Sequence, residues 1–254
     1  MDRPTRRTFV AGTGIALAAI GAGCLDETSD PGTDADGETD ADGETDTDSE
    51  TGTDGTYGSN GDPRVDEPPH EIERPDVDDE DEPREAWNDD YLGEHMAAEP
   101  SVAFESLESV RLADYALRTV DFDLAGGAYA VRLVLGEDEL GEVVDLEETN
   151  ADARSTLETV DFDRRVVIVV ESGFGSGSVE HRWARAEAVD DGLHLHGYYT
   201  QPYEQTNDLT SRHSVVVADR PSDSDSIDLA RASLTVEEDR RVTVDSTDGV
   251  VTVE

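Results

Sequence analysis

The sequence predicts a mainly β fold: an antiparallel β-sandwich or barrel-like domain behind a disordered acidic stalk and an N-terminal signal. Three observations carry that prediction. Val166-Val167-Ile168-Val169-Val170 is an unbroken run of strand length, all β-branched, as in a central strand buried on both faces. Tyr129, Val131, Leu133 and Leu135 alternate with Ala130, Arg132 and Val134, the period of a half-buried strand. Turn signals such as Asp191-Gly192 and Asp248-Gly249 divide the apolar runs at short intervals as far as the last residues.

Composition divides the 254 residues into three regions: 1–23, 24–99 and 100–254. Asp and Glu number 63 against 19 basic residues, all of them arginine. Without lysine there is no P-loop lysine, Schiff base or Ser-Lys dyad. One cysteine, Cys24, excludes an intramolecular disulfide and any cysteine-rich metal site. A net charge of −44 repels nucleic acid and anionic headgroups. Such self-repulsion is tolerable in molar salt, where the Debye length falls to about 3 Å. The lysine-free, carboxylate-rich composition resembles that of proteins from salt-in halophilic archaea.

In region 1–23, Arg3, Arg6 and Arg7 precede a mild apolar run, Phe9 to Gly23, too short for a comfortable membrane span. Thr5-Arg6-Arg7-Thr8-Phe9-Val10 resembles the twin-arginine export motif through its arginine pair, Phe9 and the apolar residue after it. Gly21-Ala22-Gly23-Cys24 resembles a lipobox, with Gly21 where leucine is usual. The resemblance is to haloarchaeal twin-arginine-exported lipoproteins. It implies folded export, cleavage before Cys24, a lipid on that cysteine and anchorage on the outer face of the cytoplasmic membrane. Cleavage would leave the mature chain at −46.

From 25 to 99 the chain carries 29 acidic residues against three arginines. Thr33 to Thr56 repeats Ala-Asp-Gly-Glu-Thr-Asp and has no aliphatic side chain larger than alanine, too little to offset ordering entropy. Like charge and proline predict an extended tether. Its Asp-x-Asp-Gly steps lack the EF-hand glutamate, because Ser49 stands at position 12 when Gly43 is position 6.

The remaining 155 residues, at net −20, are long enough for one core. Beyond the two strands above, strands are expected near 115–122, 142–146, 180–189, 193–200, 213–218, 230–236, 240–245 and 249–253, with one helix at Ala151–Leu157. Leu117-Arg-Thr-Val-Asp-Phe-Asp123 recurs as Leu157-Glu-Thr-Val-Asp-Phe-Asp163, read as shared strand-entry chemistry. Gly173-Phe174-Gly175-Ser176-Gly177 is neither a nucleophile elbow nor a dinucleotide loop, and reads as a flexible turn. From Val160 on, "VDFDRRVVIVVESGFGSGS" followed by "WARAEAVDDGLHLH" resembles the small β domain at the C-terminus of some bacterial protease-complex subunits. In that family an Asp-Phe pair enters a central strand, followed by a Gly-rich turn and a hairpin. The resemblance implies an interaction or ligand-binding module and transfers no catalytic residue.

The hairpin between His181 and Tyr203 holds the candidate site. With Asp191-Gly192 as a two-residue turn, Glu187 would face His196, Val189 would face His194, and Arg185 would face Tyr198. Alternation places Trp183, Arg185, Glu187, His194, His196 and Tyr198 on one face, and Ala184, Ala186, Ala188, Leu193, Leu195 and Tyr199 on the core face. His213 lies close by in sequence. The leading expectation is a lipid-anchored, extracytoplasmic binding or interaction protein of a halophile. It would be a monomer, partnered by the membrane through Cys24 and by a cell-surface protein or small ligand, with no nucleic acid and no cofactor. The rival is a metal-assisted hydrolase using His194, His196 and Glu187, since two histidines and a carboxylate suit zinc or iron.

Overall fold

The structure, a computed structural model, describes residues 64–69, 72–76, 87, 91–120, 127–221 and 227–253. The export motif, the lipobox with Cys24, and the repeats of the stalk lie outside the described residues. Among the described residues, ten strands form two five-stranded sheets. One contains β1 (Arg64–Asp66), β5 (His181–Val189), β6 (Gly192–Tyr199), β8 (Leu229–Glu237) and β9 (Arg240–Asp245), in the order β1-β9-β8-β6-β5. The other contains β2 (Phe104–Leu107), β3 (Ala128–Val134), β4 (Arg165–Gly175), β7 (Thr210–Asp219) and β10 (Val250–Thr252), in the order β10-β3-β4-β7-β2. All pairs are antiparallel except β6 with β8. A parallel pair needs a crossover, and here β7, in the opposite sheet, is part of it.

The sandwich core fills the space between the sheets. Val166, Ile168 and Val170 of β4 and Val216 and Ala218 of β7 meet Leu193, Leu195, Ala232, Leu234, Val242 and Val244. The alternate residues of the same strands, Val167, Val169, Val215 and Val217, face away from the sandwich. They pack under two short helices, α1 (Glu137–Val143) and α2 (Ala151–Glu158), through Leu140, Ala153 and Leu157. The β4–β7 pair is therefore apolar on both faces, as its continuous sequence required. Each fully buried valine contributes about 1.5–3 kcal/mol of hydrophobic free energy.

Two segments expected to be strands are helical over part of their described length instead. Residues Ala116–Thr119 form a 3-10 turn because the Glu171 carboxylate takes the N–H groups of Ala116 and Leu117, at 2.9 and 3.4 Å. That anion, held by Arg132 Nη2 at 2.7 Å, caps the turn where its free donors gather. Within 142–146, Val143 closes α1 and only Val144 makes a bridge, to Leu112. Leu140, Val143 and Val144 have the i, i+3, i+4 spacing of a helix, and Glu137, Asp138 and Glu139 suit its first turn. The expected helix at 151–157 is present, capped by the Asn150 side chain, which accepts from Asp152 and Ala153 N–H. The repeated heptapeptides share one device: Val120 N–H closes on Leu117 C=O at 3.0 Å and Val160 N–H on Leu157 C=O at 3.4 Å, above buried leucines.

Order reaches back before residue 100. β1 pairs with β9, and Arg241 clasps Asp66 with two bonds of 2.9 Å. Ile72, Tyr91 and Leu92 form a separate buried cluster with Trp87 and Tyr198. The linker boundary read from composition is thus too late, because sparse apolar residues between acids still dock on the sandwich. Among the described residues, no helix is long and apolar enough to cross a membrane.

Candidate functional site

The β5–β6 hairpin forms, in a different register. Its two-residue turn is Asp190-Asp191, with Val189 opposite Gly192, Glu187 opposite His194 and Arg185 opposite His196. The difference of two residues preserves which face each side chain takes. A bulge between Trp183 and Arg185 does change faces: Trp183 turns into the sandwich core and donates from Nε1 to Ser214 Oγ at 3.0 Å. Arg185, Glu187, His194, His196 and Tyr198 remain together on the outer face, and Trp183 leaves them. Ala186, Leu193, Leu195 and Tyr199 are buried as expected, while Ala188 is exposed.

This outer face is polar, largely closed, and paired from within except at Arg185 Nε, which is buried without a partner. Glu187 accepts from Arg185 Nη2 at 3.2 Å and from His196 Nε2 at 3.0 Å. His194 Nε2 meets Ser233 Oγ at 2.8 Å, and Ser233 meets Thr243 Oγ1 at 2.6 Å. Arg231 clasps Asp245 at 2.7 and 3.2 Å. Tyr91 and Leu92 cover Tyr198, and Gly93 lies so close to its ring that a Cβ there would collide with it. Burial, then the neighbouring His196, then Arg231, Arg185 and Arg241 push His194 down to about 2. Burial, followed by Arg185 and Arg241, pushes His196 down to about 3. Both imidazoles are therefore neutral at pH 7, and the His196–Glu187 contact is a hydrogen bond to a carboxylate. The two rings lie against each other, centroids 3.9 Å apart, with their Nε2 atoms engaged by different partners. Among the described residues no three His, Cys, Asp or Glu side chains are grouped to hold a metal ion.

At the opposite end of the hairpin, a buried chain of hydroxyls and rings borders a groove. His181, 8 % exposed, stacks on Tyr199 with centroids 5.6 Å apart. Its Nε2 lies 2.6 Å from Ser172 Oγ and its Nδ1 2.9 Å from Ser214 Oγ. Tyr199 donates its hydroxyl to Ser172 at 2.7 Å. Burial first, then His213 and Arg212, push His181 down to about 3, so the ring is neutral with one N–H. A serine hydroxyl has one proton to give. Ser172 is wholly buried, so its proton must go to His181 Nε2, or it would have no acceptor. His181 Nδ1–H then donates to Ser214, which also accepts from Trp183. Ser214, which lines the groove, keeps its own proton to donate. A histidine held near 3 is a poor general base, and a serine oxygen accepting twice is a poor nucleophile. The chain fixes a donor and does not activate a nucleophile.

The groove has a volume of about 630 Å³ and runs between His181–Trp183 and Ser106–Ser109 over Thr210–Ser214 of β7. It exists because β2 pairs with β7 only over 215–218, after which Ser109 adopts φ 57° and the chain turns away. Asp219 donates to Ala103 C=O, so alternation turns the backbone N–H and C=O of residues 219, 217 and 215 towards β2. The same alternation turns those of His213 and Ser211 to the groove, where no second strand meets them among the described residues. His213 gives Nε2–H to Val110 C=O at 2.8 Å, which leaves Nδ1 buried and unpartnered, as are Ser211 Oγ and Arg212 Nε. Arg212 lies over the Tyr199 ring, 5.0 Å from its centroid, and fills the space above Gly175. It has no carboxylate partner among the described residues, unlike Arg132, Arg185, Arg231 and Arg241.

The groove residues were missed in the sequence, apart from a notice of His213 and of the histidine-rich interval around it. A signal was present in the polar endings of two apolar strands, Glu171-Ser172 after Val170 and Ser211-Arg212-His213-Ser214 before Val215. Compared with protein-family models, with curated proteins and with solved structures, the chain finds no match.

Proposed function

We propose that this chain is a lipid-anchored, extracytoplasmic binding protein of a halophile, held on the outer face of the cytoplasmic membrane through Cys24. Its sandwich binds through the groove beside β7. The export and anchoring part is supported by Arg6, Arg7 and Phe9 standing before Cys24 in the order and spacing such signals use, and by a lysine-free chain of net charge −44. The binding part is carried by one observation: the groove gathers buried polar atoms without partners, Ser211 Oγ, Arg212 Nε and His213 Nδ1, along one open strand edge. Such atoms cost about 1–3 kcal/mol each when left unmet, and a ligand recovers that cost once a side-chain shift at the groove wall lets it reach them. The outer face with His194 and His196 has one such atom, Arg185 Nε, against three beside the groove, and its two histidines and Glu187 already have partners.

The test is site-specific photo-crosslinking of the full chain in native membranes at molar salt. A photoreactive residue at Ser106, in the groove, should yield a discrete adduct, whereas one at the exposed Val250 should not. Equal adducts at both positions, or none at Ser106, would overturn the binding reading.

A further inference from the structure

We infer that the groove takes an extended peptide segment bearing a carboxylate, which adds as a strand to the free edge of β7 alongside Ser211 and His213. The inference deepens the groove reading above and rests on it.

Three features choose a peptide over a compact ligand. The floor of the groove is a strand edge, and its main-chain groups are spaced two residues apart. An extended chain presents matching pairs at that interval, whereas a compact ligand does not. The position is also prepared. β2 already occupies the same edge over 215–218 and leaves it at Ser109, so an added strand continues a ladder that exists. Finally, the walls come from both sheets, His181–Trp183 on one side and Ser106–Leu107 on the other, so side chains alternating from the added strand meet different surroundings.

The carboxylate is argued from charge. In a chain with 63 acidic residues, an intermediate-exposure arginine without a carboxylate at hand is a vacancy for an external one. Arg212 is held by Tyr199 and the space over Gly175, so its guanidinium is oriented before any ligand arrives. Ser214, lining the same groove with a proton left to give, adds a neutral donor. Glu108 and Glu180 also line the groove, and Glu180 lies 3.6 Å from Arg182, so a polyanion would be repelled while a single carboxylate at Arg212 is not. Main-chain pairing also suits molar salt, which screens charge pairs beyond about 3 Å and leaves short hydrogen bonds in place.

The experiment uses the full chain at molar salt and a library of random octapeptides with free carboxyl ends. A selected peptide is then resynthesised with one backbone N-methyl at each position in turn, and with its carboxylates amidated singly. Two N-methyl positions spaced by two should each weaken binding about tenfold, with the residue between them tolerant. Removing one carboxylate should weaken it about tenfold or more, and Arg212→Gln should abolish that carboxylate's effect. Equal tolerance of N-methylation at all positions would refute strand addition. Selection of no peptide above the background of Ser106→Trp would also refute it. If the Ser106 photo-adduct persists in that case and proves to be a saccharide or other non-peptide, the binding reading survives and the peptide inference falls.

Discussion

Lowering the pH from 7.5 to 5.5 in molar salt should destabilise the fold by about 4 kcal/mol, through three histidines and before any carboxylate is needed. His181, His194 and His196 are held neutral in the folded chain, with values of about 3, 2 and 3, chiefly by burial. Unfolded, each returns to about 6.5. The native values are depressed, so between about pH 6.5 and pH 3 the unfolded chain binds more protons and stability falls as pH falls. The contribution is complete above about pH 7 and erodes below it. For one such histidine the loss between pH 7.5 and 5.5 is about 1.3 kcal/mol, hence about 4 for three. For a folded unit of this size that lowers the melting temperature by about 8–16 °C. Carboxylate crowding acts in the opposite direction, since protonation relieves it, which is why the comparison belongs in molar salt. Thermal melts followed by circular dichroism at the two pH values supply the measurement. His194→Gln with His196→Gln should keep about a third of the shift. A melting temperature that stays flat between pH 7.5 and 5.5 would refute the reasoning.

Three further outcomes follow from the same structure and sequence. Glu171→Gln should cost about 2–4 kcal/mol in thermal or urea unfolding, because Arg132 loses its 2.7 Å partner and the 3-10 turn its capping anion; a loss under about 0.5 kcal/mol would count against the capping argument. The full chain, at −44, should melt at a lower temperature in dilute buffer than in molar potassium chloride, and equal values would remove the halophilic reading. Metabolic lipid labelling should mark the wild-type chain in membranes and not Cys24→Ser, while Arg6→Lys with Arg7→Lys should block export; unlabelled protein retained equally in membranes would exclude the anchor.

What the sequence made legible was periodicity. Val166–Val170 and the alternation from Tyr129 placed two adjacent strands, and seven of the other segments marked as regular structure also appear. Periodicity failed where a distant residue decides the local state. Nothing between 115 and 122 announces that Glu171, some fifty positions later, will cap Ala116 and Leu117. In Gly173-Phe174-Gly175 the glycines suggested a turn, but β4 runs through them to Gly175 with a bulge after Ser172 and φ 41° at Gly173. The hairpin register missed by two because Gly192 looked like a turn residue. It is a strand residue packed on the backbone of Leu229, where a Cβ would collide.

The openness of the candidate face was misread for a related reason. Two neighbouring histidines with a carboxylate opposite them look like an open binding face, but openness is not a property of the hairpin. It depends on what the remainder of the chain lays over it. Tyr91, Leu92 and Gly93, in a stretch read as tether, cover Tyr198, and cross-strand partners from β8 and β9 satisfy or crowd the histidines. The groove shows the converse. Ser211, Arg212 and His213 are ordinary polar residues in sequence and acquire a vacancy only because β2 leaves β7 five residues early. A strand that ends before its neighbour does leaves unpaired main chain, and in a sandwich that is the cheapest place to build a recognition edge.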